Sequence, residues 1–312
     1  LTAAFSLMTT AIVMRGIGGG IERATRIMMP VLAVIMLYLV GTALTMDGRD
    51  AALVKLFVPR FSELPPQGVL LAVGQAFFSL SLGLGAMIAY GSYISKQESI
   101  VRSALWVVIL DTLFALLAAV AMFTIIFSVP GLQDRVSGST VGMLFITLPD
   151  LFYTQMPGGA VLAPLFFVLV AFAALSSTIS LGEVVTSLMI DRRGWSRRKA
   201  AVVCSCAVFA GSVLAALSVG AVEPLSTMEI FPGKAGLFST LDHLAANYLL
   251  PIGGLGTTVF VGWFLGRPAL LEELGLKRGT PAFFVLLWIL RVVAPLAILA
   301  LLTAVLAGWD FS

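Results

Sequence analysis

Long apolar stretches alternate with short polar segments along the whole chain. A membrane-spanning helix needs about 20 apolar residues, so the pattern predicts about eight spans in one all-α integral membrane domain over residues 1–312. We place the spans at residues 1–14, 24–45, 68–94, 99–128, 160–190, 198–219, 238–265 and 281–308. The first span is short and begins directly at Leu1, so we expect further helices before it and a domain that is incomplete at its N-terminus. In the connection 129–159, apolar pieces indicate short helices at the outer mouth.

The third predicted span contains a sequence that an intact membrane helix disfavours. Residues 77–85 read FFSLSLGLG. Glycine weakens a helix, and backbone groups freed in the bilayer find no water there. We therefore predict a broken helix near residues 80–85, beside a cavity or a ligand. The two half-helix ends offer N–H groups to an anion and C=O groups to a cation, which suits an uncharged or zwitterionic substrate that moves with metal ions.

Composition and charge agree with a membrane protein. The chain is 59% hydrophobic and 11% charged, whereas soluble domains carry about 25% charged residues. The net charge of +3 does not indicate a nucleic-acid partner, because the basic residues concentrate on one predicted side of the membrane. That side holds Arg15, Arg23, Arg26, Lys96, Arg102, Arg192, Arg193, Arg197, Arg198, Lys199, Arg267, Lys277 and Arg278, and the other holds Arg49, Lys55, Arg60, Arg135 and Lys234. The positive-inside rule makes the first side cytoplasmic, which predicts a multi-pass plasma-membrane protein whose C-terminus lies outside.

Polar side chains fall near mid-membrane in three different spans. Asp111 lies roughly 18 Å from the cytoplasmic start of its span at 1.5 Å per residue. Ser79 and Ser81 reach a similar depth beside the predicted break, and residues 176–180, SSTIS, do so in the fifth span. Hydroxyls, carbonyls and one carboxylate suit a hard cation such as Na⁺, and nothing points to an organic cofactor. The alternative is that the serines only bond to their own helix and aid helix packing. Arg291, inside the last span, can either snorkel or pair within the bundle.

Four segments, in order and spacing, resemble the neurotransmitter:sodium symporter family, particularly its bacterial amino-acid transporters. They read RGIGGGIERATRIMMP, AVGQAFFSLSLGLGAMIAYGSY, FAALSSTISLGE and LDHLAAN. The resemblance covers essentially the whole chain. It implies a leucine-transporter-type inverted-repeat helical bundle, in which the present chain would supply the family's helices four to eleven. Two co-transported Na⁺ ions and an amino-acid substrate are implied as well.

The resemblance also implies roles for individual residues. The first sodium site would use Ser79 and Asp111, and the second would use the Ala173 carbonyl with the hydroxyls of Ser176 and Ser177. The substrate pocket would comprise Phe78, Ser79, Ser81, Leu84, Ser177 and Leu181. The outer gate would contain Gln75 and Asp242, and the inner gate would contain Tyr93 and Asp191. Arginine partners for both gates are expected before Leu1. Leu84 stands where the family often has Phe or Met, which leaves the side-chain preference of the pocket open.

The function expected from this pattern is sodium-coupled symport of an amino acid or a related zwitterion into the cell by alternating access. Chloride independence is expected, because Asp111 stands where animal members have asparagine and a fixed carboxylate can supply the negative charge of a bound chloride. An ion channel and a non-transporting amino-acid sensor are the alternatives. An enzyme is not expected, since no serine–histidine arrangement is apparent. The partners would be the small substrate and the bilayer, with a homodimer left open.

Overall fold

Helices make up most of the described chain. The computed structural model describes residues 2–128, 145, 148–154, 158–276 and 279–310. The α-helices are α1 (Thr2–Met14), α2 (Glu22–Ala43), α3 (Arg49–Phe57), α4 (Pro66–Ser79), α5 (Ala86–Gly91), α6 (Ile100–Ser128), α7 (Leu148–Thr154), α8 (Gly159–Arg193), α9 (Arg197–Leu217), α10 (Glu223–Thr227), α11 (Leu237–Leu244), α12 (Leu250–Val259), α13 (Arg267–Leu274), α14 (Pro281–Trp288) and α15 (Ala294–Leu306). Four π-helical turns cover Ile17–Ile21, Ala245–Leu249, Phe260–Phe264 and Ile289–Val293, and a 3₁₀ turn covers Phe61–Glu63.

The predicted spans are confirmed as helices or as runs of consecutive helices. Six of these runs are long and apolar enough to cross a membrane, namely Ile17–Ala43, Ile100–Ser128, Gly159–Arg193, Arg197–Leu217, Leu237–Phe264 and Pro281–Leu306. The other two predicted spans contain the shorter apolar helices α1 and α4. The third span, predicted to break, does so after α4, and α5 resumes it.

One connection adds a feature that the all-α prediction does not contain. Strands β1 (Glu229–Phe231) and β2 (Lys234–Ala235) form a two-stranded antiparallel ribbon in which Phe231 pairs with Lys234. The turn between them has Gly233 at φ 75°, a conformation that glycine adopts without steric cost. Helix α7 is one of the short helices expected in the connection 129–159, whose residues 129–144, 146–147 and 155–157 lie outside the described part.

The break in the third span is a helix C-cap of defined geometry. Residues 80–85 separate α4 from α5. The Leu82 N–H donates to the Phe77 carbonyl at 2.9 Å, and the Ser81 N–H donates to the Phe78 carbonyl at 3.1 Å. These two bonds are the pair that defines a Schellman motif, and they satisfy carbonyls that the helix end would otherwise leave bare. Ser81 takes the left-handed position at φ 52°, which costs a non-glycine residue about 1–2 kcal/mol.

Glycines let the break pack directly against the backbone of α12. A Cβ on Gly83 would collide with the carbonyl oxygen of Leu250, and one on Gly253 would collide with the carbonyl oxygen of Gly83. A Cβ on Gly254 would meet the ring of Phe77. Gly83 also has φ 80°, so both its conformation and its surroundings exclude a side chain. The non-helical segment is therefore held in place by main-chain contact with a neighbouring span.

The described chain divides into two compact units. The first comprises Leu1–Met14, Leu64–Ile109 and Ile179–Ser312, and the second comprises Arg15–Glu63 and Leu110–Thr178. In the first unit α12 packs against α4 and α15, and α1 packs against α9. The core of the second unit combines residues of α2, α6, α7 and α8, with the rings of Phe152 and Phe166 5.5 Å apart. A single transmembrane domain over residues 1–312 stays a prediction.

Replacing Gly83 with alanine should destabilise the protein, because the new Cβ meets the α12 backbone and the positive φ strains any other residue. We expect the free energy of unfolding to fall by about 2 kcal/mol or more, measured by thermal unfolding in detergent. Gly91→Ala is the matched control, since a Cβ at Gly91 in α5 has no atom within 4 Å. Equal melting temperatures for the two variants would contradict the close packing described.

Candidate functional site

A cavity of about 130 Å³ lies beside the broken segment. It is lined by residues of the break, of α4, of α5 and of α12, namely Phe77, Ser81, Leu82, Gly83, Gly85, Met87, Ile88, Gly254, Thr257 and Thr258. The hydroxyl of Thr257 donates to the Gly253 carbonyl at 2.9 Å. Ser81 is the residue of the predicted substrate pocket that lines this cavity. The break therefore adjoins free space, as its sequence predicts.

The other predicted substrate residues of the first unit lie close to the break or on α8. Phe78, at the end of α4, is exposed, whereas Ser79 and Leu84 are half-buried. Leu181 on α8 is exposed, and so is Gln75 of the predicted outer gate. Ser79 and Asp111 belong to different units, so their pairing in a first sodium site stays a prediction.

In the second unit, the residues of the predicted second sodium site form an oxygen cluster on one turn of α8. The Ser176 hydroxyl donates to the Ala173 carbonyl at 2.8 Å, and the Ser177 hydroxyl donates to the same carbonyl at 3.3 Å. Both bonds join a serine to the preceding turn of its own helix, which is the alternative that the sequence left open, so the second sodium site stays a prediction. Asp111, half-buried on α6, is the carboxylate of this unit that the sequence singles out.

A buried ion pair joins helices at the end of the first unit that the charge count assigns to the cytoplasm. Glu183 on α8 is completely buried. Arg197, the first residue of α9, contacts both of its carboxylate oxygens, Nη1 to Oε2 at 2.9 Å and Nη2 to Oε1 at 2.5 Å. The Tyr93 hydroxyl donates to Oε1 at 2.8 Å, and Arg197 also donates to the Val13 carbonyl at 3.3 Å. This cluster ties α1, α8, α9 and the segment after α5 together.

This ion pair gives Tyr93 a partner that the sequence did not predict. The Tyr93 hydroxyl contacts Glu183, whose cation is Arg197, whereas an inner gate of Tyr93 and Asp191 with an arginine before Leu1 stays a prediction. Asp191 is exposed at the end of α8. A carboxylate in an apolar span requires a partner, and this was the signal by which Glu183 could have been linked to an arginine at the start of the following helix.

A second polar cluster, also missed from the sequence, lies at the opposite end of the first unit. Asn247 is completely buried in a π-helical turn, and its amide nitrogen lies 2.8 Å from His243 Nδ1 and 2.9 Å from Asp310 Oδ1. Lys234 of β2 forms an ion pair with Asp310. Asp242, the predicted outer-gate acid, precedes His243 and is exposed. The cluster joins the β-ribbon, the seventh span and the segment after α15.

Comparison with known proteins decides the family. The sequence profile of the Sodium:neurotransmitter symporter family matches residues 1–310. The chain belongs to that family. Its members are transporters and not enzymes, as predicted, and they are membrane-embedded multi-pass proteins. A solved structure, the crystal structure of MhsT in complex with L-phenylalanine, matches with a TM-score of 0.84 at 37% identity, over 96% of this chain and 66% of that one. This match confirms the leucine-transporter-type fold.

Sequence relatives of the chain include proteins named as sodium-dependent transporters. The chain is 35% identical to the uncharacterized sodium-dependent transporter YhdH of Bacillus subtilis (strain 168), over 95% of this chain and 64% of the relative. It is 26% identical to sodium-dependent nutrient amino acid transporter 1 of Drosophila grimshawi, over 75% of this chain and 35% of the relative. The chain thus spans less than two thirds of the length of these relatives.

Removing the cation of the Glu183–Arg197 pair should lower the free energy of unfolding, because it leaves a carboxylate buried without its partner. For Arg197→Ala we expect a loss of about 3–5 kcal/mol in unfolding free energy, visible as a lower melting temperature in detergent. Arg198→Ala is the control, since Arg198 is the exposed next residue of the same helix. If both variants melted like the wild type, the pair would have no structural role.

Proposed function

We propose that this protein takes up an amino acid together with Na⁺ by alternating access. The observation that carries the proposal is the broken third span, in which a Schellman cap and a packed glycine hold non-helical backbone beside a cavity. Such breaks persist at membrane depth where they line a site, and half-helix ends at such sites bind substrate groups and ions. The relatives support the ligand class, because one is named for amino acids and the similar structure was solved with L-phenylalanine.

The substrate would lie against the break and against residues of α8. The proposed contacts are Phe78, Ser79, Ser81, Leu84, Ser177 and Leu181. Phe78 and Leu181 are exposed and apolar, which suits the side chain of an amino acid and lets Phe78 act as a lid. The half-buried hydroxyls of Ser79 and Ser81 suit its polar groups.

Two Na⁺ sites are proposed, with Na⁺ as transported cargo. The second would use the Ala173 carbonyl with the hydroxyls of Ser176 and Ser177, which lie within one turn of α8. Neutral oxygens of this kind are suitable ligands for a hard cation. The first site would use Ser79 and Asp111, where a carboxylate adds charge. No organic cofactor enters this scheme.

The negative charge of Asp111 would also make chloride unnecessary. Beside a Na⁺ ion, a carboxylate stabilises the cation as a bound anion would. Ala115, one turn further along α6, has no hydroxyl to offer a halide. We therefore propose that transport is independent of chloride.

Alternating access requires closures that open in turn. The cluster of Tyr93 and Arg197 around the buried Glu183 would stabilise the inward side in its closed state, with Asp191 near the same end. Gln75 and Asp242 would serve the outer side. Coupling follows if Na⁺ and amino acid favour the same state. The positive-inside count supports an outside location for the end of the chain after α15, and a homodimer is compatible with the scheme.

The gradients available are sufficient for concentrative uptake. Each tenfold Na⁺ gradient supplies about 1.4 kcal/mol, and a potential of 100 mV adds about 2.3 kcal/mol per charge. Their sum for one ion corresponds to accumulation of a zwitterion by several hundredfold.

The full-length protein in proteoliposomes should accumulate radiolabelled amino acid only under an inward Na⁺ gradient. Aromatic, branched and small amino acids are compared, and saturation with substrate is expected for at least one class. Replacing chloride with gluconate should leave wild-type uptake unchanged, whereas Asp111→Asn should lower it and make the remainder respond to chloride.

Other outcomes would contradict the proposal in distinguishable ways. Na⁺ flux without amino acid, at a high unitary rate, would indicate a channel. Saturable binding without uptake would indicate a sensor. Loss of wild-type uptake on chloride removal would contradict only the proposal that Asp111 makes chloride unnecessary, and not the proposal of symport with Na⁺.

A further inference from the structure

Arg291 is fixed at one point on the surface of the first unit. It lies in the π-helical turn Ile289–Val293 of the last span, and its Nε donates to the Gly262 carbonyl at 2.6 Å. Its guanidinium carbon lies 5.3 Å from the ring centroid of Trp263, within the range of a cation–π interaction. A Cβ on Gly262 would approach Arg291 Cγ to 3.2 Å. The guanidinium is therefore held by a carbonyl and a ring from the preceding span.

These contacts satisfy only part of the hydrogen-bonding capacity of the guanidinium group. Arginine has five N–H donors and no acceptor, and the described residues accept one of these donors, the one on Nε. None of the ion pairs among the described residues includes Arg291. A charge in a membrane span costs free energy unless it is paired or reaches the interface. Among the described residues the two terminal nitrogens have no acceptor, so they are available to an anion.

The surroundings place this charge at the edge of the bilayer. Gly262 lies two residues before the end of the seventh span at Phe264, so Arg291 is level with the end of that span. The first turns of its own apolar run lie beyond this level, because Phe283 and Leu287 pack against Leu270 and Leu271 of α13. The side chains of Trp263 and Trp288 are 62% and 60% exposed, and Phe264 is exposed too. Tryptophan favours the boundary between headgroups and hydrocarbon. Arg267, exposed at the start of α13, adds a second positive charge after the same span end.

We propose that Arg291 and Trp263 bind the phosphate of an anionic phospholipid at this membrane surface. Guanidinium groups bind phosphate in a bidentate manner, and the two terminal nitrogens of Arg291 are those that remain for it. The exposed rings of Trp263, Trp288 and Phe264 would lie along the glycerol and upper acyl chains, which distinguishes a lipid from free phosphate. The charge count assigns this surface to the cytoplasmic leaflet, where basic pockets between spans bind lipid headgroups.

Quenching of tryptophan fluorescence tests the site in the full-length protein. Brominated phosphatidylglycerol is titrated into phosphatidylcholine nanodiscs, with brominated phosphatidylcholine as the uncharged comparison. In the wild type, the charged lipid should quench at a lower mole fraction than the uncharged one. Arg291→Met, which keeps an apolar stem of similar length, should raise the mole fraction for half-maximal quenching about tenfold. Arg102→Met, at an exposed arginine of α6, should leave it unchanged.

A second variant separates lost binding from lost folding. Arg291→Lys keeps the charge but not the bidentate geometry, so we expect an intermediate shift with an unchanged melting temperature. Equal quenching by both lipids, or wild-type quenching in Arg291→Met, would overturn the proposal. Full competition by millimolar inorganic phosphate would show a free-anion site and would overturn the lipid assignment.

Discussion

Backbone groups that leave a helix inside a bilayer must find partners within the protein, and this requirement governs the third span. The chain satisfies this requirement in two ways at the break. Ser81 and Leu82 close the end of α4 with two main-chain hydrogen bonds, and Gly83 brings the non-helical segment against the backbone of α12. The result is a break whose backbone is held by hydrogen bonds and close packing beside a cavity.

The same constraint acts on charged side chains, and the first unit meets it in three ways. Glu183 and Arg197 form a bidentate pair where three helices and the segment after α5 meet. At the other end of this unit, Asp310 forms an ion pair with Lys234 and accepts a hydrogen bond from the Asn247 amide, which also contacts His243. Arg291 takes a carbonyl and a tryptophan ring instead of a carboxylate. Each arrangement joins segments that are separate in sequence, so these residues stabilise tertiary structure as well as satisfying all or part of their own hydrogen-bonding capacity.

The helices were predictable because hydrophobic length is a local property, and so was the break, since FFSLSLGLG places helix-disfavouring residues within an apolar span. The oxygen cluster of Ala173, Ser176 and Ser177 follows from the spacing of one helical turn, once the family resemblance assigns it a role. The partner of Glu183 was not predictable with certainty, because Arg197 lies fourteen residues on, in another helix. The Asn247 and Asp310 contact spans 63 residues, and only the packing of helices brings such residues together.

The break is proposed to bind substrate as well as to end a helix, and a substitution at Ser81 distinguishes these two roles. In Ser81→Gly the left-handed position is relieved of strain, so the protein should become more stable by about 1 kcal/mol. The hydroxyl proposed to contact substrate is lost at the same time. We predict a raised melting temperature together with a weaker Na⁺-dependent affinity for amino acid, measured by equilibrium binding to the full-length protein. A raised melting temperature with unchanged affinity would show that the Ser81 hydroxyl does not contact substrate.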